Sequence, residues 1–219
     1  MRGPRRVGRI GVLALVWICG TGAVLASQPT VQEAQEQEAT GGCEATVVAH
    51  VSNYAAIQPD GMAAAAREAA RIYEAIGVRI LWVLGPEPPP DACGLPLRVL
   101  LLSRNGVKQL EVSRKQALGE TVFGFITRET GRAYILTHRI LDMTRRYGDD
   151  YRRLLGQTIA HEVGHLLLPS DSHADRGIMQ AHLGVRAYSA SYFTPEQGAA
   201  IRARLAAAAT RHGDITSPP

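Results

Sequence analysis

Short apolar stretches recur along the chain from residue 45 to residue 137, and several are rich in β-branched residues. They predict five strands, at Ala45–Val51, Arg79–Leu84, Leu97–Ser103, Thr121–Ile126 and Ala133–Thr137. The third stretch is apolar without alternation, which indicates a strand that is buried on both faces.

Three longer segments predict helices. The first begins at Pro59 and ends at Gly77, a residue type that favours helix termination. The second runs from about Asp149 to Leu168, and the third begins at Thr194, where T-P-E-Q combines an N-cap threonine with a capping-box glutamine. The order of strands and helices predicts an α+β fold, a three-layer α/β sandwich with a mixed twisted sheet, as one domain over residues 43–213 with a tail at 214–219.

The N-terminus has the pattern of an export signal. Four arginines precede an apolar run from Ile10 to Ala26, which ends in small residues. We predict a signal peptide at 1–26 cleaved after Ala26, which implies a secreted or periplasmic protein without stable membrane insertion. The alternative is an uncleaved membrane anchor, because the run is just long enough to span a bilayer. Residues 27–42 are rich in Gln and Glu and predict a flexible leader.

Composition and charge indicate the class of protein and give no sign of nucleic-acid binding. The chain is 46% apolar and 20% charged, which is typical of a globular protein. The net charge of +4 comes largely from the arginines of the predicted signal, so we expect no nucleic-acid partner. Once the signal is removed, Cys43 and Cys93 remain, and an even pair in an exported chain suggests a disulfide.

The segment HEVGHLLLPSDSH carries the candidate chemistry. His161 and His165 lie four residues apart in a predicted helix, so their imidazoles project from one face and can share a metal ion. Glu162 lies beside that face and can accept a proton from a water molecule that Zn²⁺ activates. The alternative is that both histidines are ordinary residues of a helix face.

The sequence offers two candidates for the third zinc ligand. Pro169 ends the helix, so the chain turns back and brings Asp171 or His173 towards the metal. We favour His173, because imidazole is the more usual zinc ligand in such sites. In that case Asp171 would be its neighbour or would orient it.

These residues resemble the metzincin clan of zinc peptidases, such as the matrix metalloproteinases and snapalysin-type enzymes. Aligned without gaps on the clan's motif, HExxHxxGxxH or HExxHxxGxxD, the chain matches at both histidines and the glutamate, and Asp171 falls at the third-ligand position. Met179 then resembles the methionine of the turn beneath the zinc. Leu168 departs from the clan's glycine, and no tyrosine stands just after the methionine. The resemblance also implies that Thr121–Thr127 is an edge strand that binds extended peptides.

The sequence therefore predicts an exported zinc metalloendopeptidase that hydrolyses peptide bonds of a peptide or protein substrate. Its zinc ligands would be His161, His165 and His173, with Asp171 as the alternative third ligand, and Glu162 would be the general base. A zinc hydrolase of non-peptide amides or esters is one alternative. Another is a non-catalytic zinc-binding interaction module, which closed four-ligand coordination would favour.

Overall fold

The strands and helices follow one another largely as the hydrophobic pattern predicts. The computed structural model describes residues 45–84, 94–109, 123–169, 172–181 and 191–216, without the side chains of 109 and 211–216. The strands are β1 (Thr46–Tyr54), β2 (Arg79–Val83), β3 (Leu95–Leu102), β4 (Gly124–Thr127) and β5 (Arg132–Leu136). The helices are α1 (Pro59–Glu74), α2 (Arg104–Gln109), α3 (Thr137–Tyr147), α4 (Tyr151–Leu167) and α5 (Pro195–Thr216).

The five strands form one mixed sheet in the order β2-β1-β3-β5-β4. The first four strands in that order run parallel, and β4 pairs antiparallel with β5. Helix α1 connects the parallel strands β1 and β2, as a parallel crossover requires. The α+β fold with a mixed sheet is confirmed.

The two faces of the sheet contribute to different apolar clusters. Along β3, Val99 and Leu101 belong to the main core with α1, α4 and α5, whereas Leu100 and Leu102 point to the other face. There they join a smaller cluster that includes Val107 of α2. The prediction that this strand is covered on both faces is therefore confirmed.

The helix ends follow the sequence signals. Asp150 caps α4, with its carboxylate accepting a hydrogen bond from the Arg152 backbone N–H at 3.0 Å. Before α5 the predicted capping box is present: the Thr194 N–H donates to Gln197 Oε1 at 3.0 Å, and the Gln197 N–H donates to Thr194 Oγ1 at 3.3 Å. Gly77, after α1, adopts a φ of 70°.

Two helices were not predicted. Helix α3 follows β5 with no turn residue between them, and its first residue, Thr137, is the last residue of the predicted fifth strand. Its buried residues Thr137, Ile140 and Thr144 are spaced three and four apart, as on one face of a helix, but two of the three are threonines, so few apolar residues mark that face. Helix α2 is too short for its periodicity to be recognised. At the C-terminus, α5 extends to Thr216, into the segment predicted as a tail.

Several predictions fall outside the described residues. These are the signal peptide 1–26, the leader 27–42, the disulfide between Cys43 and Cys93, and the start of the fourth strand at Thr121. Within the described part of the chain, no helix combines the length and the apolar character that crossing a membrane requires.

Candidate metal centre

Helix α4 carries the candidate site and lies at the centre of the protein. It packs against helices α1, α3 and α5 and against strands β3, β4 and β5 of the sheet. Gly156 permits the close approach of α1, because a Cβ atom there would lie 2.5 Å from the Ala65 carbonyl oxygen. Every residue from Leu154 to Gly164 is buried, so the site is built on an element that its surroundings hold in place.

Three histidine side chains converge at the C-terminal half of α4. The Nε2 atom of His165 lies 3.0 Å from that of His161 and 3.0 Å from that of His173. The ligand atoms of all three lie within 4.8 Å of one another. Two nitrogens bound to a tetrahedral Zn²⁺ at about 2.0–2.1 Å would lie about 3.3 Å apart. This arrangement fits Zn²⁺, and the donor set is of the type that zinc prefers.

The outer nitrogens of two of these rings are held by hydrogen bonds. Nδ1 of His161 lies 2.7 Å from the carbonyl oxygen of Ile178. A carbonyl only accepts, so Nδ1 carries the proton and the Nε2 lone pair faces the other histidines. Nδ1 of His165 lies 2.9 Å from Ser172 Oγ. Such outer partners fix the orientation and the tautomer of metal-binding histidines.

The surroundings keep the imidazoles of His161 and His165 neutral, which is the form that binds a metal. Burial lowers the pKa of His161 to about 4. Burial, with the neighbouring imidazoles as a further cause, lowers the pKa of His165 to about 3. Both rings are therefore uncharged at neutral pH and need not lose a proton when a cation binds.

Glu162 is buried between α4 and the sheet, and its side chain is against Gly124 of β4. A Cβ atom on Gly124 would lie 2.6 Å from Cγ and 2.7 Å from Oε1 of this glutamate. Burial raises the pKa of the carboxyl group to about 8. A bound cation beside it would favour the charged form and so lower that pKa.

A tight turn at 174–179 passes beneath α4. The Ala174 N–H donates to the Met179 carbonyl oxygen at 2.9 Å, and Gly177 supplies the φ of 81° that the turn requires. Met179 is fully buried, and Gly164 leaves room for it, since a Cβ atom there would lie 2.7 Å from the methionine sulfur. The turn that delivers the Ile178 carbonyl to His161 is thus also the one that carries the predicted methionine.

The structure brings most of the predicted site residues together. His161, Glu162 and His165 lie on α4, and His173 joins the two histidines from the returning chain. The alternative ligand Asp171 lies outside the described residues. Of the segment predicted as a substrate-binding edge, β4 covers 124–127, and among the described strands it lies at one of the two edges of the sheet.

Sequence reasoning missed three residues that shape the site. Ser172 contacts His165, Gly124 makes room for Glu162, and the guanidinium of Arg128 donates to the Leu168 and Pro169 carbonyls at the end of α4. Ser172 could have been flagged, because it is a hydroxyl next to a candidate ligand. The other two depend on how β4 lies against α4, which no local pattern reveals.

Comparison with known proteins finds only weak likeness, and only to solved structures. No protein-family model matches the chain, and no curated protein matches its sequence. Among solved structures, a zinc-dependent peptidase from Methanocorpusculum labreanum is 14% identical, over 71% of this chain and 99% of that one, with a TM-score of 0.46. A likeness of this size carries no argument about the activity of the chain.

Proposed function

We propose that the protein is an exported zinc-dependent peptidase of the metzincin type. The observation that carries the proposal is the convergence of three histidine Nε2 atoms, 3.0 Å apart in successive pairs, at the helix that also carries the buried Glu162. Neutral nitrogen donors together with a neighbouring carboxylate are the parts that metal-assisted hydrolysis needs.

The metal would be held by His161, His165 and His173. Three protein ligands on Zn²⁺ are typical of catalytic sites, which keep a further coordination position open. When bound, Zn²⁺ supplies a Lewis acid that polarises a carbonyl group and lowers the pKa of water. The hydrogen bonds from His161 to Ile178 and between His165 and Ser172 would keep the two rings aimed at the ion.

Glu162 would act as the general base. It follows His161 directly on α4, and it lies where β4 closes over the helix at Gly124. Its carboxylate would accept the proton of the attacking water and then donate it to the leaving amine. Burial makes this group a stronger base than an exposed glutamate, and the neighbouring metal site would keep it ionised near neutral pH.

A peptide substrate is favoured by the position of β4. In the described part of the chain this strand pairs with β5 alone, and in the proposed function an extended peptide would pair with its other edge. Gly124 of the same strand is in contact with Glu162, and a peptide paired with the strand would therefore pass beside the general base. Export to the periplasm or the exterior is proposed from the N-terminal signal pattern.

A peptide-library digest of the full-length protein, with and without a chelator, tests the activity. We expect cleavage that the chelator abolishes and that added Zn²⁺ restores. The Glu162→Gln variant should bind zinc like the wild type and cleave nothing, because the change removes the base while keeping the volume of the side chain. Unchanged cleavage by this variant would exclude Glu162 as the base.

Zinc titrations of single variants test the ligand set. We expect His173→Ala to lose far more zinc affinity than Asp171→Ala. Asp171 is the alternative third ligand. Equal losses in both variants would indicate a closed four-ligand site and favour the non-catalytic zinc module. Cleavage of amide or ester dyes without cleavage of any peptide would instead favour a non-peptide hydrolase.

A further inference from the structure

Arg128 lies at the C-terminal end of the helix that carries the metal site. Its Nη1 atom donates to the Leu168 carbonyl oxygen at 2.7 Å, and its Nη2 atom donates to the Pro169 carbonyl oxygen at 3.0 Å. One planar guanidinium group thus binds two consecutive backbone carbonyls. Carbonyls at this end of a helix have no partner within the helix, so an external donor is needed there.

The chain that Arg128 holds is the one that returns to the metal site. Pro169 has no backbone N–H group, so its carbonyl oxygen is the only backbone atom of this residue that can form a hydrogen bond. Three and four residues later, Ser172 and His173 contact His165, at Nδ1 and Nε2 respectively. The returning segment is therefore attached at its start by Arg128 and at its end by the histidine cluster.

Arg128 is itself held by a tight turn. It begins the connection between β4 and β5, where the Gly131 N–H donates to the Arg128 carbonyl oxygen at 3.2 Å and Gly131 has a φ of 59°. The turn directly follows the strand that lies against Glu162 through Gly124. The guanidinium therefore connects the sheet edge to the segment that carries the third histidine.

Charge alone would argue against an arginine at this place. A guanidinium carries the same sign as Zn²⁺, and like charges close together weaken cation binding. The two geometric contacts and the charge thus have opposite effects on metal affinity. Removing the side chain reveals which of the two effects is larger.

We propose that Arg128 is a positioning residue, which fixes Leu168 and Pro169 so that His173, four residues later, reaches the metal that His161 and His165 would hold. The inference rests on the proposed metal site. It assigns to Arg128 a role in metal affinity and ligand geometry and no contact with the substrate.

The test compares metal binding by the full-length wild type with that of Arg128→Ala and Arg128→Lys. We expect Arg128→Ala to weaken zinc binding about tenfold, within the range for partners of metal ligands. Lysine keeps the charge but offers one compact donor group, so Arg128→Lys should fall between the two. Loaded with Co²⁺, Arg128→Ala should show a changed visible absorption spectrum, because the ligand geometry is altered.

Arg152→Ala provides the matched control. Arg152 donates a hydrogen bond to Asp60 at 2.9 Å, between α4 and α1 and at the opposite end of α4 from the histidines. Its loss should lower stability without changing zinc affinity or the Co²⁺ spectrum. The zinc-induced rise in melting temperature should therefore shrink in Arg128→Ala and remain in Arg152→Ala.

The outcomes separate the two proposals. Wild-type protein that binds zinc, together with an Arg128→Ala variant of equal or higher affinity, overturns the role of Arg128 alone. Wild-type protein that takes up no metal overturns the metal site, and this inference with it. If Arg128→Ala does not fold, Arg128→Lys serves as the test. Its zinc affinity must then lie below that of the wild type, and an equal affinity overturns the role of Arg128.

Discussion

Gly124→Ala is the substitution that the structure makes most informative. The new Cβ atom would lie 2.6 Å from Cγ and 2.7 Å from Cδ and Oε1 of Glu162, whereas ordinary contacts begin at 3.4 Å. The side chain must therefore move by close to 1 Å. The contacted atoms belong to a flexible side chain and not to the backbone, so we expect the glutamate to give way while β4 and α4 stay in place.

The expected effect on activity is much larger than the effect on stability. A misplacement of about 1 Å in a catalytic group can lower the rate about 100-fold, which corresponds to about 2.7 kcal/mol of activation free energy. Overpacking destabilises the fold by about 1–3 kcal/mol. Replacing a glycine within a strand by alanine stabilises it by about 0.5–1 kcal/mol, which offsets part of that loss. The variant should therefore fold, bind zinc and lose most of its kcat/KM.

The assay measures kcat/KM on a cleaved library peptide, together with zinc content and the free energy of unfolding. Gly106→Ala is the control, since its Cβ atom would meet Ser103 Oγ at an ordinary 3.4 Å. It should keep wild-type activity. Wild-type kcat/KM in Gly124→Ala would refute the argument, because it would mean that the position of Glu162 does not matter for the reaction.

Two further predictions concern the histidines. Ser172→Ala removes the partner of His165 Nδ1 at 2.9 Å, and we expect zinc affinity to fall about tenfold by chelator competition; unchanged affinity would mean that the hydroxyl does not orient the ring. In the metal-free protein, burial holds the pKa of His161 at about 4 and that of His165 at about 3, below the ordinary 6.5. At the two histidines the unfolded chain then binds more protons than the folded chain, whereas the raised pKa of Glu162 keeps one extra proton on the folded chain. Two groups outweigh one, so the free energy of unfolding should fall as the pH falls from 6.5 towards 4. Denaturant titrations in chelator should show a smaller fall for His161→Gln, and an equal fall would contradict the assignment.

Local signals determined much of the fold. The strand segments, the helix begun by Pro59 and the capping box at Thr194 are all read from neighbouring residues, since turn chemistry and side-chain period act over short distances. The same holds for His161 and His165, whose spacing places them on one face once the segment is a helix, and for Glu162 beside that face.

Tertiary structure decided the rest. The sequence favoured His173 over Asp171 on ligand preference alone, and the tertiary structure adds that the His173 imidazole lies 3.0 Å from His165. Helix α3 escaped prediction because its few buried positions are defined by packing against β3 and α4. Gly124 and Arg128 become part of the site because an edge strand distant in sequence lies against α4. A spacing pattern fixes the direction of side chains on one element, whereas contacts between elements depend on how all of them pack.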